Sequence, residues 1–243
     1  INTDPAVFRN ISDYSASIDF GTTSTCIAVR KPEGNELLTI SPLNNKVSTY
    51  ENPTNLMVFD WDAVYKAWIE ACHMIIPTFY KGGKQQNAEW QQKLSDTPVH
   101  FDFGYSVKDE LGAESTDRRT IHSIMTLLKM IPYRIIHDRR QLQFNPYNDS
   151  EKCVYIVASP DDQDEKHFDP ISFYGYLIGR MINDRTKQGD IHTSFHVTTP
   201  VKFNDAVKKS IQNSLLYGLK RTVPKPLQDR VKVEMIYSEP VAF

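Results

Sequence analysis

The sequence predicts an α/β fold, because extended segments come first and helices then alternate with strands. Strands are indicated by short apolar or alternating runs bounded by turn residues. They are predicted at residues 17–20, 26–30, 36–40, 53–59, 153–158, 194–199 and 231–237. Helices are indicated by apolar residues that recur every three or four positions. They are predicted at residues 61–76, 117–130, 169–183 and 205–218.

One mixed sheet accounts for most of these strands. A tight polar turn, GTTST at residues 21–25, joins the first two strands, and the third continues the meander. We expect a twisted sheet with the last two helices packed on it. Its strands are predicted to begin near Ser17, Cys26, Glu36, Ser194 and Val231.

The helix predicted at the middle of the chain has a start signal and a stop signal. Asp117 suits its N-cap, and Ile121, Ile124 and Leu128 would share one face. Pro132 is expected to end it.

The two later helices carry similar signals. Asp169 suits the N-cap of the first, with Pro170 in its first turn. Asn204 or Asp205 suits the N-cap of the second, and Gly218 is expected to end it.

Composition excludes several functional classes. The net charge of −2 provides no general basic field for nucleic acid. No apolar run is long enough to span a membrane, and the first residues lack the features of a signal peptide. The 3 cysteines have unrelated spacings, which suggests neither a disulfide framework nor a metal site. We therefore expect a cytoplasmic protein with reduced thiols and with neither nucleic acid nor membrane as a partner.

The middle of the chain differs from its flanks. All 3 tryptophans fall within residues 61–90, and we interpret the polar stretch at residues 81–99 as an exposed excursion inserted into the fold. Two explanations fit the tryptophans: a local core beneath the insertion, or a surface for a partner. The predicted organisation is a core subdomain of residues 1–45 and 148–243, with a smaller inserted subdomain of residues 46–147.

The strongest chemical signal is the segment IDFGTTST at residues 18–25. The strand would deliver Asp19 to the end of the sheet, and Gly21 would let a phosphate approach the backbone. Because Asp19 would repel a polyphosphate, we expect magnesium between them, held by Asp19 through water. The alternative is a plain hairpin turn with an aspartate at the strand end. The candidate nucleotide-binding residues are Gly21, Thr22, Thr23 and Ser24.

Two further stretches each contain the end of a predicted strand and the residues after it. FHVTTPVKFND at residues 195–205 leads from a strand into a helix. IYSEPVA at residues 236–242 places Glu239 at the carboxyl end of a strand, where sheet proteins bind ligands. For Glu239 alone, a solvated strand end is the alternative.

In this order, the three stretches resemble the first lobe of the ATPase domain of seventy-kilodalton heat-shock chaperones of the DnaK type. That family has an Asp-Leu-Gly-Thr-Thr turn, a Val-Pro-Ala-Tyr-Phe-Asn-Asp element and an Asn-Glu-Pro-Thr-Ala-Ala motif. NPTNLMVF at residues 52–59 is also similar to a strand of that family. The resemblance implies an actin-like ATPase lobe, which is ribonuclease H-like, and a chaperone-like function with ATP or ADP and magnesium.

The resemblance implies roles for the motif residues. Asp19 would hold magnesium through water, and Thr22 and Thr23 would bind the β- and γ-phosphates. Glu239 would help to place the waters of the metal and the attacking water. Asp19 and Glu239 are thus candidate catalytic residues.

Three further roles come from the same resemblance. Lys108 is the candidate for the catalytic lysine of the family, within two or three positions, and the alternative is an ordinary surface lysine. Pro200 would be the switch proline that reports the nucleotide state to a docked partner, and Lys208 the basic residue one turn later. The implied partner is a protein client or a co-chaperone.

Two other functions remain open. Actin-like filament or scaffold proteins, which use nucleotide as a switch, also carry a Glu-Pro-x-Ala motif. Sugar kinases of the same superfamily begin with Asp-x-Gly-Thr-Thr-Ser, which Ser24 fits. The sequence departs from the chaperone pattern at Thr199 and at residues 201–202. Relative to that pattern, residues 61–102 form a large insertion before Lys108, and residues 220–230 form a second insertion.

The motifs of a second lobe do not occur in this sequence. We expect the chain to supply one wall of a nucleotide cleft, with the second lobe as its partner in cis. Phosphates held from one side only stay in water, where charge contacts are weak. By itself, the chain is therefore expected to bind ATP weakly and not to hydrolyse it.

Overall fold

A computed structural model describes most of the chain. It describes residues 10–31, 33–38, 50–70, 100–113, 116–184, 190–199 and 202–238. The strands, in chain order, are β1 (Ala16–Phe20), β2 (Ser24–Lys31), β3 (Gly34–Leu38), β4 (Asn52–Pro53), β5 (Asn55–Val58), β6 (Phe101–Phe103), β7 (Ile124–Thr126), β8 (Leu142–Phe144), β9 (Val154–Ile156), β10 (His167–Phe168), β11 (Ser194–Thr199) and β12 (Lys232–Ser238).

Helices of three kinds connect these strands. The α-helices are α1 (Trp61–Val64), α2 (Tyr105–Gly112), α3 (Arg118–Ser123), α4 (Pro170–Asp184) and α5 (Asp205–Lys220). π-Helical segments occur at Tyr65–Glu70 and Tyr133–His137. Short 3₁₀ turns occur at Leu128–Met130, Pro160–Asp162 and Lys225–Arg230. The chain is therefore a mixed α/β protein, as its sequence predicts.

The largest sheet has the spatial order β12-β11-β1-β2-β3. β1, β2 and β3 form an antiparallel meander, whereas β11 runs parallel to both β1 and β12. The short β4 pairs with the start of β2. All five strands expected in this sheet are confirmed.

Alternation along β1 shows how the sheet is placed. Ala16, Ile18 and Phe20 are buried, whereas Ser17 and Asp19 are exposed. The buried face joins a continuous hydrophobic core to which α4 and α5 also contribute. Because side chains alternate along a strand, β1 places its apolar residues in the core and its polar residues, Ser17 and Asp19, on the exposed face.

Two predicted caps begin the core helices. Asp169 Oδ1 accepts the N–H groups of Ile171 and Ser172 at 3.0 and 3.2 Å, at the start of α4. Asn204, rather than Asp205, caps α5, and its Oδ1 accepts the N–H of Val207 at 2.9 Å.

Gly218 does not end α5, contrary to its predicted role. The helix continues to Lys220, and Arg221 is its C-cap. A Cβ atom at Gly218 would lie 2.0 Å from the carbonyl oxygen of Ser172 on α4. Gly218 therefore permits the close approach of α4 and α5, a packing role that sequence alone did not separate from helix termination.

The helix predicted at residues 117–130 is wrong beyond Ser123. Asp117 caps α3 as expected, since its Oδ1 accepts the N–H of Thr120 at 2.8 Å. The chain then extends as β7, which pairs with β5 in the β6-β5-β7 sheet. Strand pairing thus overrides the helical spacing of the apolar residues.

Two other expectations in this region need correction. Ile121 is 51% exposed, so it does not share a buried face with Leu128. Pro132 does not stop a helix; it has helical backbone angles and precedes the π-helix Tyr133–His137. Proline is tolerated there because its missing N–H falls at a helix start.

The helix predicted at residues 61–76 begins at Trp61 as expected, but continues as a π-helix from Tyr65 to Glu70. Trp61 and Trp68 are buried, at 2% and 1% exposure, and both belong to the core rather than to a partner surface. Trp61 packs edge-to-face on Phe168 at 5.2 Å between ring centres. Trp90, like residues 71–99, lies outside the described residues.

Among the helices that the structure describes, none has the length and hydrophobicity to cross a membrane.

Candidate functional site

The site is built on the turn between β1 and β2. The N–H of Gly21 donates to the carbonyl of Asp19 at 3.0 Å, which closes the turn directly after the strand. A Cβ atom at Gly21 would lie 2.1 Å from the carbonyl oxygen of Ser24. The tightness of the turn therefore requires glycine, independently of any ligand.

Asp19 lies on the exposed face of β1, and a neighbouring strand fixes its side chain. β11 runs parallel to β1, with Ile18 opposite Val197. Thr198 follows in register and its Oγ1 donates to Asp19 Oδ1 at 2.5 Å. Because this hydrogen bond holds one oxygen of the carboxylate, it sets the orientation of the whole group.

Thr198 was missed by the sequence reasoning, which gave weight to Pro200 and the helix after it. The available signal was a threonine two residues before that proline, on a strand expected in the same sheet as β1. The register of parallel strands cannot be read from one sequence, so the pairing with Asp19 was not predictable.

The three motifs converge at one edge of the sheet. β1, β11 and β12 are adjacent and parallel, so their carboxyl ends share that edge. Thr199 pairs with Ser238 at the ends of β11 and β12. The next residues along the chain are Pro200 and Glu239, which both lie outside the described residues.

Thr54, the residue after β4, holds the β1–β2 turn by hydrogen bonds. The N–H of Thr54 donates to the carbonyl of Thr23 at 2.9 Å. The hydroxyls of Thr25 and Thr54, both buried, lie 2.8 Å apart. Thr22 and Ser24 are half-buried, whereas Thr23 is exposed at the tip. The turn is thus held rigidly while its outer side faces solvent.

Lys108 is the fourth residue of α2, at the end of its first turn. Its side chain is exposed, and its ammonium lies 6.0 Å from the ring centre of Tyr105. The hydroxyl of Tyr105 donates to the carbonyl of Glu51, directly before β4, which pairs with the start of β2. The role of Lys108 stays a prediction. Lys208 is half-buried in the first turn of α5, where its N–H donates to the carbonyl of Asn204.

Cys26 lies opposite Asp19 across the β1–β2 pair. Burial raises the pKa of its thiol, and the nearby charges of Asp19 and Glu51 raise it further. The thiol is therefore held in its neutral form, which is a poor nucleophile and a poor metal ligand.

Magnesium would have to be held here by few protein ligands. In the described part of the chain, no group of three or more His, Cys, Asp and Glu side chains is arranged around a metal position. A magnesium ion bound by one carboxylate, water and phosphate needs no such group. The exposed Asp19 at the strand end fits that kind of binding.

No protein-family model matches the chain, and no curated protein matches it.

Proposed function

We propose that this chain is the phosphate-binding lobe of an ATP-binding, ATP-hydrolysing protein of the actin-like superfamily, related to seventy-kilodalton heat-shock chaperones. The observation that carries the proposal is the convergence of three motifs on one sheet edge. The turn after Asp19 and the ends of β11 and β12 lie on three adjacent parallel strands.

The sheet supports the finer fold assignment within this proposal. What supports it is a mixed sheet in the order β12-β11-β1-β2-β3, in which an antiparallel meander has two parallel strands on one side. Helices α4 and α5 precede β11 and β12 along the chain and pack together against the buried side. In this proposal, residues 1–45 and 148–243 form the core and residues 46–147 the inserted subdomain.

The chemistry proposed is positioning of phosphates and magnesium. Asp19, oriented by Thr198, holds the water shell of the metal, and the β1–β2 turn presents amides and hydroxyls to the phosphates. Catalysis of phosphoryl transfer depends mainly on such positioning and on electrostatic stabilisation. Glu239, Lys108, Pro200 and Lys208 keep the roles that the resemblance implies, and the second lobe would complete the cleft.

The test is magnesium-dependent nucleotide binding, measured by isothermal titration calorimetry with ATP and ADP. Wild-type chain is expected to bind both weakly and to lose affinity when magnesium is chelated. Asp19→Asn should lower the affinity for Mg·ATP about tenfold, which is about 1.4 kcal/mol, and should abolish the magnesium dependence.

Asp13→Asn is the matched control, because Asp13 is an exposed carboxylate before the other end of β1. It should bind like the wild type. Absence of binding at millimolar nucleotide, or equal loss in both variants, would contradict the proposal. Nucleotide-dependent sedimentation would instead indicate a filament protein, and sugar-stimulated release of ADP a kinase.

A further inference from the structure

The side chain of Asn55 binds both backbone groups of one distant residue. The N–H of Gly104 donates to Asn55 Oδ1 at 2.7 Å, and Asn55 Nδ2 donates to the carbonyl of Gly104 at 3.0 Å. Asn55 is 5% exposed. The β5–β6 ladder begins with Leu56 opposite Phe103, so the carboxamide continues the pairing by one residue after β6 ends. We refer to this pair of bonds as the Asn55 clamp.

The clamp holds the point where the chain turns into α2. Gly104 has φ 77° and ψ −134°, a backbone conformation that residues with a Cβ atom rarely adopt. α2 has no side-chain N-cap, and the carbonyl of Gly104 also accepts the N–H of Lys108 at 3.2 Å. The first turn of α2, which carries Lys108, is therefore attached through Gly104 to Asn55.

The other side of the clamp leads to the β1–β2 turn. Thr54, the residue before Asn55, donates its N–H to the carbonyl of Thr23 and shares a buried hydroxyl contact with Thr25. A second tie runs from the hydroxyl of Tyr105, the first residue of α2, to the carbonyl of Glu51. A connected series of hydrogen bonds thus joins the β1–β2 turn to α2, the helix that bears Lys108.

We infer that Asn55 is a positioning residue that sets α2, and with it Lys108, relative to the phosphate-binding turn. This inference rests on the proposed function. A lysine side chain is long and flexible, so the position of its Cα decides which phosphate oxygens it reaches. A buried asparagine with both ends of its carboxamide bound is rigid, because each broken bond would leave an unpaired buried polar group.

The chain contains a matched control for the clamp. Asn183, near the end of α4, also binds both backbone groups of one residue: His192 N–H donates to Oδ1 at 2.8 Å, and Nδ2 donates to the His192 carbonyl at 3.1 Å. Asn183 is 1% exposed. Asn183→Ala therefore removes the same pair of buried hydrogen bonds, together with one from Nδ2 to Thr222 Oγ1 at 3.2 Å, without touching α2.

The first measurement is amide hydrogen exchange by mass spectrometry on the whole chain. In Asn55→Ala, peptides covering Tyr105–Gly112 should exchange at least about fivefold faster than in the wild type, because α2 loses its anchor. In Asn183→Ala they should not change. Equal exchange of α2 in the two variants would overturn the anchoring role. Asn55→Ser, whose hydroxyl cannot span both groups, provides a milder variant if Asn55→Ala does not fold.

The second measurement locates the Lys108 amine with an acyl phosphate of ATP. A lysine beside the bound phosphates attacks the acyl carbonyl, forms an amide and releases ATP, and the modified residue is identified by mass spectrometry. Wild type should be labelled at Lys108, with excess ADP suppressing the reaction. Labelling should fall about tenfold in Asn55→Ala, since a misplacement of about 1 Å can reduce reactivity by up to ~100-fold. It should persist in Asn183→Ala.

The outcomes separate the inference from the proposed function. Wild type that shows neither ADP-sensitive labelling nor Mg·ATP binding overturns the proposed function, and the role of Asn55 with it. ADP-sensitive labelling of a different lysine leaves nucleotide binding intact but overturns the assignment of Lys108. Labelling of Lys108 that is equal in wild type and Asn55→Ala overturns the role of Asn55 alone.

Discussion

Two aspartates cap helices in different parts of this molecule, and their carboxyl groups are affected in opposite directions. Asp117 begins α3 at the surface, and the N–H of Thr120 lowers its pKa. Asp169 begins α4 in the interior, and burial raises its pKa from an ordinary 3.8 to about 6. The same capping bond is present at both sites, so the environment, rather than the bond, decides which form of the carboxyl is favoured.

The burial of Asp169 reflects the packing of α4 on α5. Asp169 is 1% exposed, and Ser214 on α5 is completely buried. Desolvation disfavours the carboxylate more than the N–H groups of Ser172 and Ile171 favour it. Within the described residues, Asp169 Oδ2 and the Ser214 hydroxyl make no well-formed hydrogen bond. Oδ1 of Asp169 therefore accepts two backbone N–H groups at the start of α4, while burial disfavours the charged form of the same carboxyl group.

The largest expected effect is on the pH dependence of stability. Asp169 binds its proton more tightly in the folded state, so the stability that this group contributes is fully present below about pH 4 and falls as pH rises to about 6. The fall is on the order of 3 kcal/mol, from a shift of about two pKa units. Asp169→Asn keeps the capping oxygen and should remove this fall, as measured by urea unfolding from pH 4 to 7.

The same comparison gives a check at a single pH. At pH 7 the Asp169→Asn variant should be more stable than the wild type, and near pH 4 the two should be similar. A parallel pair of stability curves across this range would show that the carboxyl group titrates normally in the folded state.

The second effect separates the cap from the charge. Asp169→Ala also removes the charge but leaves the N–H groups of Ile171 and Ser172 buried without their acceptor. It should be about 2 kcal/mol less stable than Asp169→Asn at every pH, since buried unpaired donors are unfavourable. Equal stability of the two variants would mean that the capping bonds of α4 contribute nothing.

The caps also show what the sequence could and could not predict. Asp117 and Asp169 were recognisable as caps because capping is local: the side chain bonds to residues two or three positions ahead. The end of α3 at Ser123 was not recognisable, because the pairing of β7 with β5 depends on residues about seventy positions away. Gly218 was misassigned for the same reason, since its function lies in the contact with Ser172.

In the candidate site, too, some features depend on neighbouring residues in the sequence and others on distant ones. The turn at Gly21 and the strand that carries Asp19 follow from local pattern, and the structure has both. The hydrogen bond from Thr198 and the Asn55 clamp on Gly104 require the register of strands that are distant in sequence. The strand and the turn were therefore predictable, whereas the residues that orient Asp19 and Gly104 were not.

A third, smaller effect concerns the uncharged cap of the other core helix. Asn204 is exposed and its Oδ1 accepts the N–H of Val207 at the start of α5. Asn204→Ala should destabilise the protein by about 1 kcal/mol, the usual loss for an N-cap, with no dependence on pH between 4 and 7. The measurement is the same urea unfolding series. A pH-dependent difference would mean that another titrating group responds to this cap.

The smallest expected effect is at Asp117, and its sign is opposite to that at Asp169. The folded pKa of Asp117 is lowered, so its carboxylate contributes stability above the ordinary pKa of 3.8, and that contribution is lost as pH falls through the lower folded value. Asp117→Asn should therefore be slightly less stable than the wild type at pH 7 and equal to it in strong acid. Since the carboxylate is exposed, solvent screens it and the difference should be well below that at Asp169. Carbon-13 NMR titration of both carboxyls tests the pair directly: Asp117 should titrate below its ordinary pKa and Asp169 above it. If both titrate on the same side, burial is not what distinguishes the two caps.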